Sequence, residues 1–190
     1  PHPVASGDLV YLPVFVTLIP YNRKNKPDHM TDNEILPGVK APDFSLPDHT
    51  GEIHTSASFL GSWYILYFYP RDNTSSCTAE AVAFSEVYDE LSKIGVPVIG
   101  ISPDTMESHR KFIEKHDLKI TLLSDINHEV IEAYGAWKQK KMYGKSYMGV
   151  ERSTFLIDRD GVIREIWRKV RVKGHVQAVT ERLYELMESS

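Results

Sequence analysis

Seven consecutive aromatic or aliphatic residues, Trp63, Tyr64, Ile65, Leu66, Tyr67, Phe68 and Tyr69, run directly into Pro70. An unbroken apolar run closed by a proline reads as a strand covered on both faces, as in the middle of a mostly parallel sheet. Pro70 ends the strand. Asp72, Asn73, Thr74, Ser75 and Ser76 then form a loop rich in capping side chains, and Cys77, the only cysteine of the chain, opens an amphipathic helix.

A thiol at that place has two readings. The unpaired N–H groups of a first helical turn favour negative charge, and the thiolate is the nucleophilic form of cysteine. Against this, Cys77, Ala81, Phe84, Tyr88 and Leu91 fall near one helical stripe, and a lone cysteine in such a stripe is more often a small buried hydrophobe than a catalyst. Composition by itself favours the second reading.

The order of residues favours the first. Pro70, Thr74 and Cys77 make a Pro-x-x-x-Thr-x-x-Cys pattern directly after the buried strand, and this pattern resembles the active site of the peroxiredoxins. The run from Tyr67 through Pro70, Asn73 and Thr74 to Cys77, Thr78, Glu80 and Ala81 is similar to their bacterioferritin-comigratory, or Q-type, branch. The likeness continues through Pro42-Asp43-Phe44, Ile101-Ser102-Pro103-Asp104, Leu122-Leu123-Ser124-Asp125, Tyr134-Gly135, Lys141-Met142-Tyr143-Gly144-Lys145 and Glu151-Arg152-Ser153-Thr154-Phe155-Leu156-Ile157-Asp158. It covers about residues 37 to 188, in order.

Composition is consistent with one soluble enzyme-sized domain: 190 residues suit a single core, and no internal repeat is present. A formal net charge of -4 argues against a dedicated nucleic-acid binder. Arg164, Arg168, Lys169, Arg171 and Lys173 crowd one segment, but Lys169, Arg171 and Lys173 alternate with Val170 and Val172, as on a solvated edge strand. One cysteine cannot form an internal disulfide, which points to a reducing, cytoplasmic setting. The histidines, among them His49, His54, His109, His116, His128 and His175, stand singly in polar contexts, so they read as surface residues and no metal site is expected.

In chain order, Leu9 to Ile19 is an apolar run interrupted by Pro13, too short to span a bilayer. Arg23, Lys24 and Lys26 follow it instead of preceding it, which is unlike a signal peptide. Met30 opens a plausible native start, so residues 1–29 are expected to be a leader or an expression-derived extension and residues 30–190 the domain. Phe44, Leu46 and Ile53 around Thr50-Gly51 suggest a small hairpin. The Cys77 helix should stop near Gly95, followed by a strand over 97–101. Asp104 and Glu107 suggest a capping box for a helix from about Thr105 to His116. Residues 120–123 read as a strand, and Asn127 as the cap of a helix through Ala133. Residues 136–150 read as a long loop. Strands over 153–157 and 162–168 flank an Asp158-Arg159-Asp160-Gly161 turn, and Val176, Val179, Leu183 and Leu186 mark a closing helix. The alternation gives an α/β domain with a mixed central sheet flanked by helices.

The resemblance names this a thioredoxin fold and implies a thiol-dependent peroxidase acting on hydrogen peroxide and organic hydroperoxides, with no cofactor. It implies that Cys77 is the peroxidatic nucleophile, that Thr74 and Arg152 stabilise charge on the peroxide oxygens, and that Pro70 shapes and shields the loop. Glu80 would orient hydrogen bonds nearby. Thr74 occupies the first cysteine position of the Cys-x-x-Cys disulfide reductases of this fold, so their dithiol mechanism is closed to it. Two departures stand out. Ser75-Ser76 replace the usual Pro-Gly, and Val82 occupies the position five residues after the nucleophile where Q-type enzymes often carry a resolving cysteine. A one-cysteine mechanism then needs an external thiol or thioredoxin-type reductant. The expected partners are a hydroperoxide and that reductant, with no nucleic acid and no membrane, the protein being a monomer or weak dimer. A rival reading remains open: a thioredoxin-fold redox sensor or holdase that kept the site but not turnover. Removal of residues 1–29 is expected to leave the peroxidase rate unchanged, because no candidate catalytic group lies there; the truncated protein's peroxide consumption checks this.

Overall fold

The computed structural model describes residues 35–190; the Leu9–Ile19 run, Met30 and the expected 1–29 leader lie outside the described residues. The described chain opens with strands β1 (Ser45–Pro47) and β2 (Ile53–Thr55), which pair antiparallel as the expected small hairpin. Asp48 fastens its turn, accepting at Oδ1 from the Thr50 N–H at 2.8 Å and the Thr50 hydroxyl at 2.7 Å. Its Oδ2 lies 3.0 Å from His54 Nε2, so His54 is not solitary. These bonds hold the Asp48 carboxyl down at about 2 against the opposing effect of burial.

The apolar run becomes β3 (Tyr64–Phe68), with all five residues buried. After the loop come α1 (Ser75–Glu86) and α2 (Tyr88–Lys93), then β4 (Val98–Ser102), α3 (Met106–His116), β5 (Thr121–Ser124) and α4 (Glu129–Ala133). Strands β6 (Trp137–Met142) and β7 (Lys145–Val150) form a ribbon of their own. Strands β8 (Ser153–Ile157) and β9 (Ile163–Trp167) and helix α5 (His175–Glu188) close the chain. The central sheet runs β5-β4-β3-β8-β9. β3, β4 and β5 are parallel, whereas β8 and β9 are antiparallel to their neighbours, so the sheet is mixed.

Because successive strand residues face opposite sides, β3 builds two cores. Ile65, Tyr67 and Tyr69 pack with Cys77, Ala81 and Phe84 of α1, Leu91 of α2, Phe112 of α3 and Val176, Val179 and Leu183 of α5. Tyr64, Leu66 and Phe68 pack on the other side with Phe44, Leu46, Val130, Ile131 and Tyr134. Each such side chain contributes roughly 1.5–3 kcal/mol when fully buried. The strand run thus supports a helical layer on one face and α4 with the β1–β2 hairpin on the other.

Several local expectations change. The Cys77 helix breaks at Val87 into α1 and α2, although four of its five stripe residues are buried and Tyr88 is half-buried. Thr105, not Asp104, caps α3, accepting the Ser108 N–H at 3.1 Å; Glu107 pairs instead with Arg110 and Lys111. α4 begins after His128 in the left-handed region, φ 62°, while Asp125, not Asn127, takes the Ile131 N–H at 2.8 Å. Residues 137–150 form an antiparallel hairpin rather than a loop, turning at Tyr143 and Gly144 with φ 50° and 77°, the pair of positive φ angles that a two-residue turn between twisted strands requires. Past β9 the chain leaves the sheet at Arg168, so Lys169, Arg171 and Lys173 do not decorate an edge strand. His109 and His175 are buried, not surface residues.

Gly100 of β4 stands beside Tyr67 in register. A Cβ there would lie 2.7 Å from Tyr67 Cζ and 2.8 Å from Leu122 Cδ2. Both neighbours are buried in the core, so Gly100→Ala is expected to cost about 1–3 kcal/mol through overpacking, read as a lower urea midpoint at unchanged slope.

Candidate active site

Helix α1 begins at the top of β3 and places Cys77 in its first turn, where backbone N–H groups have no intrahelical acceptor. Cys77 is 2% exposed and belongs to the same core cluster as Ala81, Phe84 and Tyr67. Both readings of the cysteine therefore hold in part: it belongs to the apolar stripe, and it also touches a cation. Arg152, in the short link between β7 and β8, donates from Nη2 to Cys77 Sγ at 3.3 Å. Through Nη1 it pairs with Glu80, one helical turn after Cys77. One guanidinium thus bridges the sulfur and a carboxylate on the same helix face.

Glu80 is wholly buried, and its Oε1 has no hydrogen-bond partner. Burial pushes its carboxyl up to about 7, although the Arg152 charge and hydrogen bond oppose the shift. Burial alone would lower the Arg152 guanidinium, but Glu80 and the Cys77 sulfur hold it above its ordinary value. His175 stands at the start of α5 and is buried. Its Nε2 is 2.8 Å from the Thr154 hydroxyl, and burial, with the positive Arg152 nearby, pushes it down to about 4. The imidazole is therefore neutral at physiological pH and adds no second cation.

Pro70 and Arg152 line one cleft of about 330 Å³; Lys140 of β6, Glu151, Lys169 and Val170 complete its lining. Thr74 is the residue just before α1, but its hydroxyl donates to the Arg71 carbonyl at 3.2 Å and makes no capping bond. To donate to a bound molecule the hydroxyl has to leave that carbonyl. The structure thus brings Arg152 into direct contact with Cys77 and Glu80 and places Pro70 in the lining of the same cleft as Arg152, with Thr74 three residues from the sulfur. Lys140 and Lys169 escaped the sequence reading. Lys140 sits on a ribbon read as loop, and Lys169 lies at φ 50° in a segment read as strand. The Tyr143-Gly144 pair at the ribbon turn was the available signal for the former.

The AhpC/TSA family model matches residues 37–166. The chain belongs to the AhpC/TSA family. A putative peroxiredoxin Bcp of Coxiella burnetii is 49% identical over 146 residues, covering 77% of this chain and 97% of that protein. Peroxiredoxin Bcp of Bacillus subtilis is 45% identical over 151 residues, 80% of this chain and 96% of the relative. Among solved structures, a Xanthomonas campestris peroxiredoxin Q superposes with a TM-score of 0.74 at 36% identity, covering 82% of this chain and 98% of the other. The AhpC of Enterococcus faecalis, at 19% identity and a TM-score of 0.65, shares the fold. The protein is a thiol-dependent peroxidase of the peroxiredoxin Bcp, or Q-type, group, and its mixed sheet with flanking helices is the thioredoxin fold expected from the sequence. Among the described residues no helix is long and apolar enough to cross a membrane.

The Glu80 shift sets the sign of a pH effect. Its folded-state value near 7 lies above the ordinary 4.5, so the folded protein keeps a proton that the unfolded chain releases. Stability from this group is present below about pH 4.5 and is lost as pH rises through about 7, by at most about 3 kcal/mol. Urea unfolding at pH 5 and pH 7.5 is expected to show a smaller fall for Glu80→Gln than for the parent protein. Equal falls in the two proteins would contradict the assignment.

Proposed function

We propose that Cys77 is the peroxidatic nucleophile of a one-cysteine cycle acting on hydrogen peroxide and organic hydroperoxides. The Cys77 thiolate attacks one peroxide oxygen; the S–O bond forms, the O–O bond breaks, and the other oxygen leaves as water or alcohol after taking a proton. Cys77 becomes a sulfenic acid. An external thiol attacks its sulfur, releasing water and leaving a mixed disulfide. A second thiol resolves that disulfide and restores Cys77, so two thiols become one disulfide for each peroxide reduced.

The observation that carries this reading is the 3.3 Å contact between Arg152 Nη2 and Cys77 Sγ. A guanidinium there stabilises the thiolate and stands where charge develops on the departing oxygen. The free N–H groups at the α1 start add to that stabilisation, and Thr74 joins when its hydroxyl turns from the Arg71 carbonyl. Glu80 orients Arg152 through the other arm of the guanidinium. Pro70 limits water on the cleft side. Val82 is half-buried against the α1 core and offers no thiol, which supports regeneration by an outside, thioredoxin-type reductant. We place the peroxidase in residues 30–190, acting as a monomer or weak dimer in a reducing cytoplasm, where a lone thiol stays reduced.

Cys77→Ser is expected to abolish peroxide reduction, and Arg152→Ala to slow it about 10²–10³-fold. Both are read from peroxide consumption with added thiol. Turnover retained by Cys77→Ser would overturn the reading, and a single stoichiometric oxidation of the parent protein with every thiol tried would favour the sensor.

A further inference from the structure

Of residues 71–76, which follow Pro70 and run into the first turn of α1, only Asp72 is buried. Its carboxylate receives three donors. The Tyr69 hydroxyl lies 2.7 Å from Oδ1, and the Ser108 hydroxyl at 2.7 Å and His109 Nδ1 at 2.9 Å both meet Oδ2. The Asp72 backbone N–H donates to Asp104 Oδ2 at 2.9 Å, an oxygen that also takes the Ser102 hydroxyl at 2.7 Å. His109 is fully buried, and its Nε2 lies 3.1 Å from the Leu123 carbonyl oxygen. One loop residue is thereby tied to the ends of β3 and β4, to α3 and, through His109, to β5.

Hydrogen-bond accounting fixes how the cluster is joined. The Leu123 carbonyl can only accept, so His109 Nε2 carries a proton. Between His109 Nδ1 and Asp72 Oδ2 one further proton must lie, and it joins the two side chains in a buried hydrogen bond of 2.9 Å.

We propose that Asp72, through this buried hydrogen-bonded pair with His109, is a positioning residue for Cys77. The pair clamps the loop so that the first turn of α1 holds the sulfur against Arg152. The exposed residues around Asp72 cannot do this. Arg71, Asn73 and Thr74 face solvent, and Asn73 is held at φ 57°, a left-handed conformation that a non-glycine residue adopts at some cost. Loss of the buried anchor lets that backbone relax and carries the helix start with it. The functional part of this inference rests on Cys77 being the nucleophile.

Two measurements on the full chain test it. Nitrogen-15 NMR of histidine-labelled parent protein at neutral pH, with the His109 signals assigned by their loss in His109→Gln, is expected to show Nε2 protonated and Nδ1 in a hydrogen bond. An unprotonated Nε2 would overturn the clamp, whether or not any variant folds. Asp72→Asn, which keeps shape and removes charge, is expected to slow both iodoacetamide alkylation of Cys77 and its single-turnover reaction with peroxide at least tenfold. The double variant Asp72→Asn/His109→Gln should be no slower than the worse single variant, since the pair acts as a unit. Rates within twofold of the parent in a folded Asp72→Asn protein, or single-variant losses that multiply, would overturn the positioning role. Alkylation needs no peroxidase activity, so its failure is separable from failure of the peroxidase mechanism, which Cys77→Ser tests.

Discussion

The site depends on one half-buried cation. Arg152 lies between the Glu80 carboxylate and the Cys77 sulfur, and each of these three groups would be costly in such a place without the others. A guanidinium withdrawn from water needs anionic partners, a wholly buried carboxylate needs a donor, and a thiolate needs positive charge nearby. Burial pushes Glu80 itself toward its neutral form, against the charge and hydrogen bond of Arg152.

The fold serves that contact by geometry. Cys77 and Glu80 are one turn apart on α1, so a single group facing the helix reaches both. Arg152 comes from the link into β8, the strand that runs antiparallel to β3 in the sheet below. Since β3 delivers α1 and β8 follows Arg152, the pairing of Phe68 with Ser153 brings the two ends of the site together. His175, hydrogen-bonded to Thr154 and held neutral by burial with Arg152 nearby, adds no charge. The packing is rigid because β3 is covered on both faces, and Gly100 gives way only where the Tyr67 ring needs space.

Legibility varied with the kind of signal. The β3 run and the Gly161 turn were readable because apolar continuity and a positive φ are local properties. The β6–β7 ribbon was not: its lysines and exposed apolar side chains give no alternation against a core, and residue types alone make such a segment look like loop. His109 looked like a surface residue since its neighbours in sequence are polar. Its partner Asp72 stands 37 residues away and Leu123 another 14 beyond it, and a polar group buries itself when such distant partners satisfy it. Asp104 was read as a helix cap for a similar reason, because an acid before a helix satisfies the local rule while its actual donors are Asp72 and Ser102.

From the sequence alone came the central strand, the thiol at a helix start, the lack of a second cysteine and, through resemblance, the choice of Thr74, Pro70 and Arg152 beside Cys77. These follow from short-range chemistry and from motif order. What tertiary structure decided was contact: that Arg152 reaches the sulfur from 75 residues away, that Glu80 is buried beneath it, that Thr74 turns its hydroxyl to the chain, and that Asp72 is anchored by an imidazole. Spacing along a chain limits which residues can meet within a helix or hairpin. Meetings between elements are set by strand register and by the packing of helices on the sheet, which only the folded arrangement specifies.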